Sequence, residues 1–239
     1  NNAPNKELLL YNIDSIAAGS QKALKRISTP LNRLTFKLIP VGNACYLSES
    51  DQIMMNYLTL YDSDFNNLSE GLVIPDEISE DLSMLNKNLR AAAFSPQICF
   101  NKAGDKFCCC LSNSDYIEIF HLTDNNIKSI YRNYTFLPEI EILSNIKYAY
   151  KNLRGGIRLC SCTDKYIYLL VYNHILELAQ DELGNGNDLI YIFNWDGTPE
   201  KAIQLDHKIG LFTIDKDDRT LYAFTYGEEI MKLVKYDLQ

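Results

Sequence analysis

The sequence predicts an all-β protein, and more narrowly a β-propeller built from four-stranded blades. Three observations carry this: an aromatic-rich composition, a strand-turn-strand design that recurs four times, and strands that are apolar on both alternating faces. Of the 239 residues, 46% are hydrophobic, enough for a substantial core. The 16 Tyr and 10 Phe favour strands, because wide rings pack well on a pleated, half-buried surface.

The recurring unit is a polar turn with Gly, Asn or Asp, an apolar strand, a second polar connection and an aromatic-rich strand. It reads VGNACYLSESDQIMMNYLTLYD from Val41, then AGDKFCCCLSNSDYIEIFHLTD from Ala103. It returns as CTDKYIYLLVYNH running through an insertion to DLIYIFNWDG, and as DKDDRTLYAFTYGEEIMKLVKYDL near the end. With Cys45, Phe107, Tyr166 and Leu221 taken as equivalent, the intervals are 62, 59 and 55 residues. That period, with strands in hairpin order, fits propeller blades with long loops.

DLIYIFNW shows why a propeller is preferred. Leu189, Tyr191, Phe193 and Trp195 alternate with Ile190 and Ile192, so both faces are apolar. The middle strand of a blade is covered on both sides by neighbouring blades, whereas a sandwich strand usually keeps one face wet. KYIYLLVY repeats the signature. A doubly covered parallel sheet would need alternating amphipathic helices, which the chain lacks.

Taken in order, KELLLYNID and QKALKRIS read as the third and fourth strands of a blade without its first two. Residues 75–90 have Ser79 before an acidic pair and Ile78, Leu82, Leu85 and Leu89 at helical spacing, predicting a short surface helix. The insertion from His174 reads as a helical turn closed by Gly184. PEKAIQLD is expected to be an outermost strand and KIGLFTID an innermost one, leaving three strands in the last unit. The whole chain, 1–239, is read as one propeller domain. Either an N-terminal strand closes the ring at about five blades, or upstream sequence is missing and the ring has six.

A net charge of −8, without a Lys/Arg cluster, argues against a nucleic-acid partner. No uncharged apolar run approaches the roughly 20 residues that span a bilayer. The chain starts without Met, so it can be a mature or trimmed form whose signal or lipid-anchor segment has been removed. Seven Cys cannot all pair within one chain. Cys108 and Cys110 share one strand face, as do Cys160 and Cys162, and such neighbours make poor disulfide partners. These cysteines are expected to be small apolar core residues.

Most motifs have a structural reading. Asp196 and Gly197 form a hairpin turn, and Trp195 is expected in a blade interface rather than as a sugar platform. His121, His174 and His207 are scattered without zinc spacing, His121 being expected in the core and the others exposed. Asp215, Asp217 and Asp218 lack the remaining residues of a calcium loop and read as turn formers. No metal and no cofactor are expected. GxSxG, P-loop, HExxH and sialidase-type Asp-box sequences are absent. The best candidate site is ligand-binding: Arg154 and Arg158 flank Gly155 and Gly156, with Tyr148 and Tyr150 just upstream. Two guanidiniums and two phenols at a glycine kink could bind an anion or a sugar, or could be a strand bend with snorkelling arginines.

Residues 189–238 resemble the C-terminal part of the TolB-like β-propeller lipoproteins of Bacteroidetes. The likeness rests on the strand carrying Phe193, Trp195 and Gly197, the Leu205–Asp206 pair, the acidic turn before Leu221, Tyr222 and Ala223, and the final KYDL. It implies a propeller of typically six blades, exported to the periplasm or cell surface and attached to the membrane only through a lipid anchor outside this chain. No catalytic residues carry over. The expected function is a non-enzymatic scaffold for a protein or glycan partner. The alternative is a propeller hydrolase or lactonase with a metal or carboxylates in the central channel.

Overall fold

The computed structural model describes residues 6–29, 35–41, 45–50, 58–71, 96–123, 126–137, 139–144, 147–152, 155–172, 188–225 and 230–238. Two expected helical segments, 75–90 and the insertion from His174, lie outside them. An N-terminal pair, β1 (Lys6–Leu10) and β2 (Lys25–Thr29), brackets the short helix α1 (Ile13–Ala17). The pair matches the two N-terminal strands expected. The helix between them was not expected, and it starts because the Asn12 side chain accepts the Ser15 N–H at 3.0 Å.

Three four-stranded antiparallel sheets follow. The first is β3 (Thr35–Val41), β4 (Cys45–Ser50), β5 (Leu58–Tyr61) and β6 (Asn67–Gly71). The second is β7 (Pro96–Phe100), β8 (Lys106–Leu111), β9 (Ile117–Thr123) and β10 (Asn126–Asn133). A separate hairpin, β11 (Glu139–Ser144) with β12 (Lys147–Asn152), precedes the third, which is β13 (Ile157–Cys162), β14 (Tyr166–Val171), β15 (Leu189–Asn194) and β16 (Pro199–Gln204). A fourth sheet has three strands, β17 (Ile209–Ile214), β18 (Thr220–Thr225) and β19 (Leu233–Asp237). PEKAIQLD and KIGLFTID thus supply an outermost and an innermost strand, as expected.

The four sheets stack in chain order, and the seams are the core. Leu47, Leu58 and Leu60 of the first sheet meet Phe107, Cys109, Phe120 and Leu122 of the second. The opposite face of the second, with Cys108, Cys110, Ile117 and Ile119, meets Ile157, Ile167 and Leu169 of the third. Tyr168, Leu170, Ile190 and Ile192 then meet Ile209, Leu221 and Ala223 of the fourth. β8 and β14 are therefore buried on both faces, as the sequence predicts. On β15 the match is incomplete: Phe193 and Trp195 pack into a seam, but Tyr191 between them and the strand start is half-exposed. Outermost β16 is largely exposed.

Cross-strand register shifts the repeat by one residue. Phe107, Ile167 and Leu221 all face the preceding sheet, whereas Leu47 faces the following one, so Cys45 and Tyr166 are each one position early. Position by position along the second strands, Leu47, Cys108, Tyr168 and Tyr222 are equivalent.

The cysteines depart from expectation in one respect. Cys99 on β7 and Cys162 on β13 form a disulfide, with Cα atoms 5.6 Å apart and a sequence separation of 63. It staples the innermost strands of adjacent sheets, a pairing between sheets rather than along one strand. Cys108, Cys109 and Cys110 are buried outside any disulfide, as expected of core residues. Burial pushes the Cys108 thiol well above its ordinary value; hydrogen bonding to Cys160, together with burial, does the same to Cys110.

Replacing Cys99 and Cys162 together by Ser should lower unfolding free energy by about 2–4 kcal/mol, as expected for opening a long covalent loop. Equilibrium urea melts would show it, and an unchanged midpoint would contradict a stabilising cross-link. Cys108 and Cys109 should resist iodoacetamide at neutral pH in the native protein and react once it is unfolded.

Candidate functional site

The glycine bend singled out from sequence is a close backbone contact between sheets. The turn after β8 puts Asn113 in the left-handed region at φ 60°, and the buried Ser114 hydroxyl both donates to Leu111 O at 2.8 Å and accepts the Tyr116 N–H at 3.1 Å. Gly156 lies against this turn: a Cβ there would stand 2.4 Å from Ser114 N. Ile157 N–H donates to Ser114 O at 2.7 Å, and Tyr172 N–H donates to Gly156 O at 3.1 Å. Glycine is needed because two backbones meet.

Around this junction lie some of the expected ligand-binding residues. The Arg158 guanidinium carbon lies over the Tyr172 ring, 4.7 Å from its centroid, a cation–π contact. Asn113 donates from Nδ2 to the Tyr150 hydroxyl at 3.4 Å. Tyr148 lies on β12 opposite Ile142, and Arg154 is outside the described residues. Tyr148 and Tyr150 belong to the separate hairpin β11–β12, not to the sheet that carries Arg158. Ile140 and Ile142 of that hairpin pack against the seam between the first and second sheets. Tyr172, which sequence reasoning passed over, ends an apolar strand and gave no separate polar signal.

A second polar cluster sits nearby. Glu118 is fully buried, accepting from the Tyr116 hydroxyl at 2.5 Å and from Arg132 Nε and Nη2 at 3.1 and 2.8 Å. Burial, then the bond to Glu118, pushes the Tyr116 hydroxyl far above its ordinary value. Tyr116 and Tyr134 add a tilted ring pair with centroids 5.6 Å apart. The neutral phenol and the cation together satisfy a carboxylate that burial alone would disfavour.

Other acidic residues serve strand connections. Asp115 accepts the N–H groups of Thr135 and Phe136, and Asp188 accepts that of Ile209 at 2.7 Å. Each stands just before a third strand and holds the crossover out of an outermost strand, a repeated device not recognised in the sequence. Asp215 and Asp218 form a turn, as expected: Asp218 sits at φ 57°, and Asp215 accepts the Arg219 N–H at 2.8 Å. Asp218 also accepts from Thr163 Oγ1 and the Tyr168 hydroxyl, each at 2.7 Å, tying the third sheet to the fourth. Lys102 N–H donates to Asp164 Oδ1 at 2.9 Å, doing the same for the second and third.

Trp195 is buried, and its Nε1–H donates to Thr163 O at 3.1 Å, so the indole belongs to a seam. Gly197 completes the turn at φ +85°, where a Cβ would strike the Tyr131 ring at 2.2 Å. His121, expected in the core, is half-buried on β9 between Lys106 and Lys128 in register; His207, expected exposed, is half-buried beside Asp206 at 3.9 Å; His174 lies outside the described residues. Among the described residues no three His, Cys, Asp or Glu are grouped to hold a metal ion.

The stacked antiparallel sheets define a β-propeller, and comparison with known proteins says which kind. The TolB-like 6-blade propeller-like family matches residues 10–217, so the chain belongs to that family. Among solved structures, the Cps50 (Swd1) β-propeller domain of Myceliophteria thermophila superposes with a TM-score of 0.52 at 9% identity, covering 89% of this chain and 60% of that one. Hydrazine synthase of Kuenenia stuttgartiensis gives 0.49 at 13% identity, covering 85% and 46%. AztD of Citrobacter koseri gives 0.49 at 11% identity, covering 97% and 50%. The chain thus spans about half to three-fifths of these structures. No curated protein matches it.

Gly156→Ala should destabilise the protein by about 2 kcal/mol or more, because the new methyl group meets backbone that cannot swing aside. Arg132→Ala should cost about 3 kcal/mol by leaving Glu118 buried without its cation. Thermal melts check both, and wild-type stability for either variant would contradict the packing described.

Proposed function

We propose that this protein is a non-enzymatic, extracytoplasmic propeller scaffold that binds a protein or glycan partner. The observation that carries this reading is the use of its buried and half-buried polar groups. Glu118, Asp188, Asp218 and Trp195 each bind a strand end, a turn or a neighbouring side chain, which suits a rigid support. The Cys99–Cys162 disulfide supports export, since such bonds persist in oxidising compartments. Membrane attachment would come through a lipid anchor, as in the lipoproteins that the C-terminal half resembles.

The ligand surface is proposed around Arg158 with Tyr150, extended by Arg154 and Tyr148. An aromatic-braced guanidinium together with a phenol suits a carboxylate or a sugar hydroxyl array. The test is a thermal-shift screen of the purified protein with neutral and acidic oligosaccharides, run beside elemental analysis and a pull-down from envelope extract. An acidic oligosaccharide should raise the melting temperature by several degrees, and Arg158→Ala should abolish that shift while melting like the wild type without ligand. A stoichiometric bound metal with hydrolase or lactonase activity would overturn the scaffold reading.

A further inference from the structure

The seam between the second and third sheets gathers five of the seven cysteines: Cys99, Cys108, Cys110, Cys160 and Cys162. Two of them, Cys99 and Cys162, are already joined. Register on β7 and β8 sets Cys108 opposite Cys99 and Cys110 opposite Gln97, two residues before Cys99; on β13, Cys160 stands two residues before Cys162. Cys110 and Cys160 thus face each other one pleat along the seam from the disulfide. β13 packs against both β7 and β8. The Cys110 thiol donates to Gln97 O at 3.7 Å and is in hydrogen-bonding contact with the Cys160 thiol. Same-face neighbours on one strand are about 7 Å apart, at the outer edge of what a disulfide spans, so the contact across the seam is the favoured pairing.

The two thiols differ in access. Cys108 and Cys110 are 0% exposed, while Cys160 is half-buried. A reagent in solution meets Cys160 first, and Cys110 is reached only through it. Cys109 points to the other face of β8, into the seam with the first sheet.

We propose that Cys160 is a modification site for small aliphatic disulfides of the glutathione type, and that Cys110 resolves the adduct into a second covalent bond between the two sheets. In the first step the Cys160 thiol loses its proton to water, and its sulfur attacks one sulfur of the reagent; a mixed disulfide forms and one thiolate leaves. In the second, the Cys110 sulfur attacks Cys160 Sγ, the Cys110–Cys160 bond forms, and the Cys110 proton passes to the departing thiolate. Two protein thiols are oxidised, and one reagent disulfide is reduced to two thiols. Contact with Cys160 and burial hold Cys110 protonated, so it does not react with dissolved reagents by itself. The new bond would fix β13, which carries Arg158, to the strand that leads into the Asn113 turn.

Disulfide mapping by mass spectrometry tests this, on the native protein exposed to oxidised glutathione at neutral pH and alkylated after unfolding. Brief exposure should place one glutathione on Cys160 alone. Longer exposure should replace it by a Cys110–Cys160 bond, with Cys99–Cys162 retained and Cys108 and Cys109 alkylated; the same bond found in the protein as purified would support the inference equally. Cys110→Ala should halt at the Cys160 adduct, and Cys160→Ala should leave Cys110 unmodified. A glutathione that persists on Cys160 while wild-type Cys110 stays reduced would overturn the inference, as would a bond from Cys160 to Cys99, Cys108 or Cys162. So would a Cys160 that stays unmodified under conditions in which the unfolded protein reacts.

Discussion

Among the described residues every sheet is thin and has no interior of its own. The constraint on which the structure depends is that the second and third sheets are covered on both faces by their neighbours. β8 shows how strict this is: Phe107, Cys109 and Leu111 go into one seam while Cys108 and Cys110 go into the next. Three consecutive cysteines are intelligible there, because they are small, weakly polar and indifferent to which face they occupy. Hydrophobic burial at these seams supplies the cohesion, and it is the same contact repeated along the chain.

Repetition alone would leave the sheets free to slide, and polar groups fix their positions. Asp115 and Asp188 clamp the crossovers, while Asp164 and Asp218 tie the first hairpin turn of one sheet to that of its neighbour. The disulfide joins β7 to β13 at the innermost strands. With the frame held in this way, surface chemistry is left to places where the repeat is broken. The clearest break is the hairpin β11–β12, which packs against the seam of the first and second sheets and brings Tyr150 to Asn113 in the turn after β8.

Much of this was legible in the sequence because the repeat writes itself in turn residues and two-faced strands. The strand order, the innermost KIGLFTID, the outermost PEKAIQLD and the burial of Trp195 all follow from local pattern. What stayed hidden depended on long-range register. The equivalence of Tyr166 slipped by one residue because KYIYLLVY is apolar at every position and carries no phase. The Cys99–Cys162 bond joins strands 63 residues apart, beyond any same-strand argument. The hairpin β11–β12 was missed because its alternation of Glu139, Ile140, Glu141 and Ile142 lies outside the repeat. At the candidate site, Arg158 and Tyr150 were named from residue type, but their setting on different sheets around Ser114 needed the fold.

Native-state hydrogen exchange tests the two-faced burial most directly. The account predicts that amides of β8, β9 and β14 exchange last, through global unfolding, while those of outermost β10, β16 and β19 open earlier. Exchange that is uniform across each sheet, or slowest on the outermost strands, would contradict a core made of seams between stacked sheets.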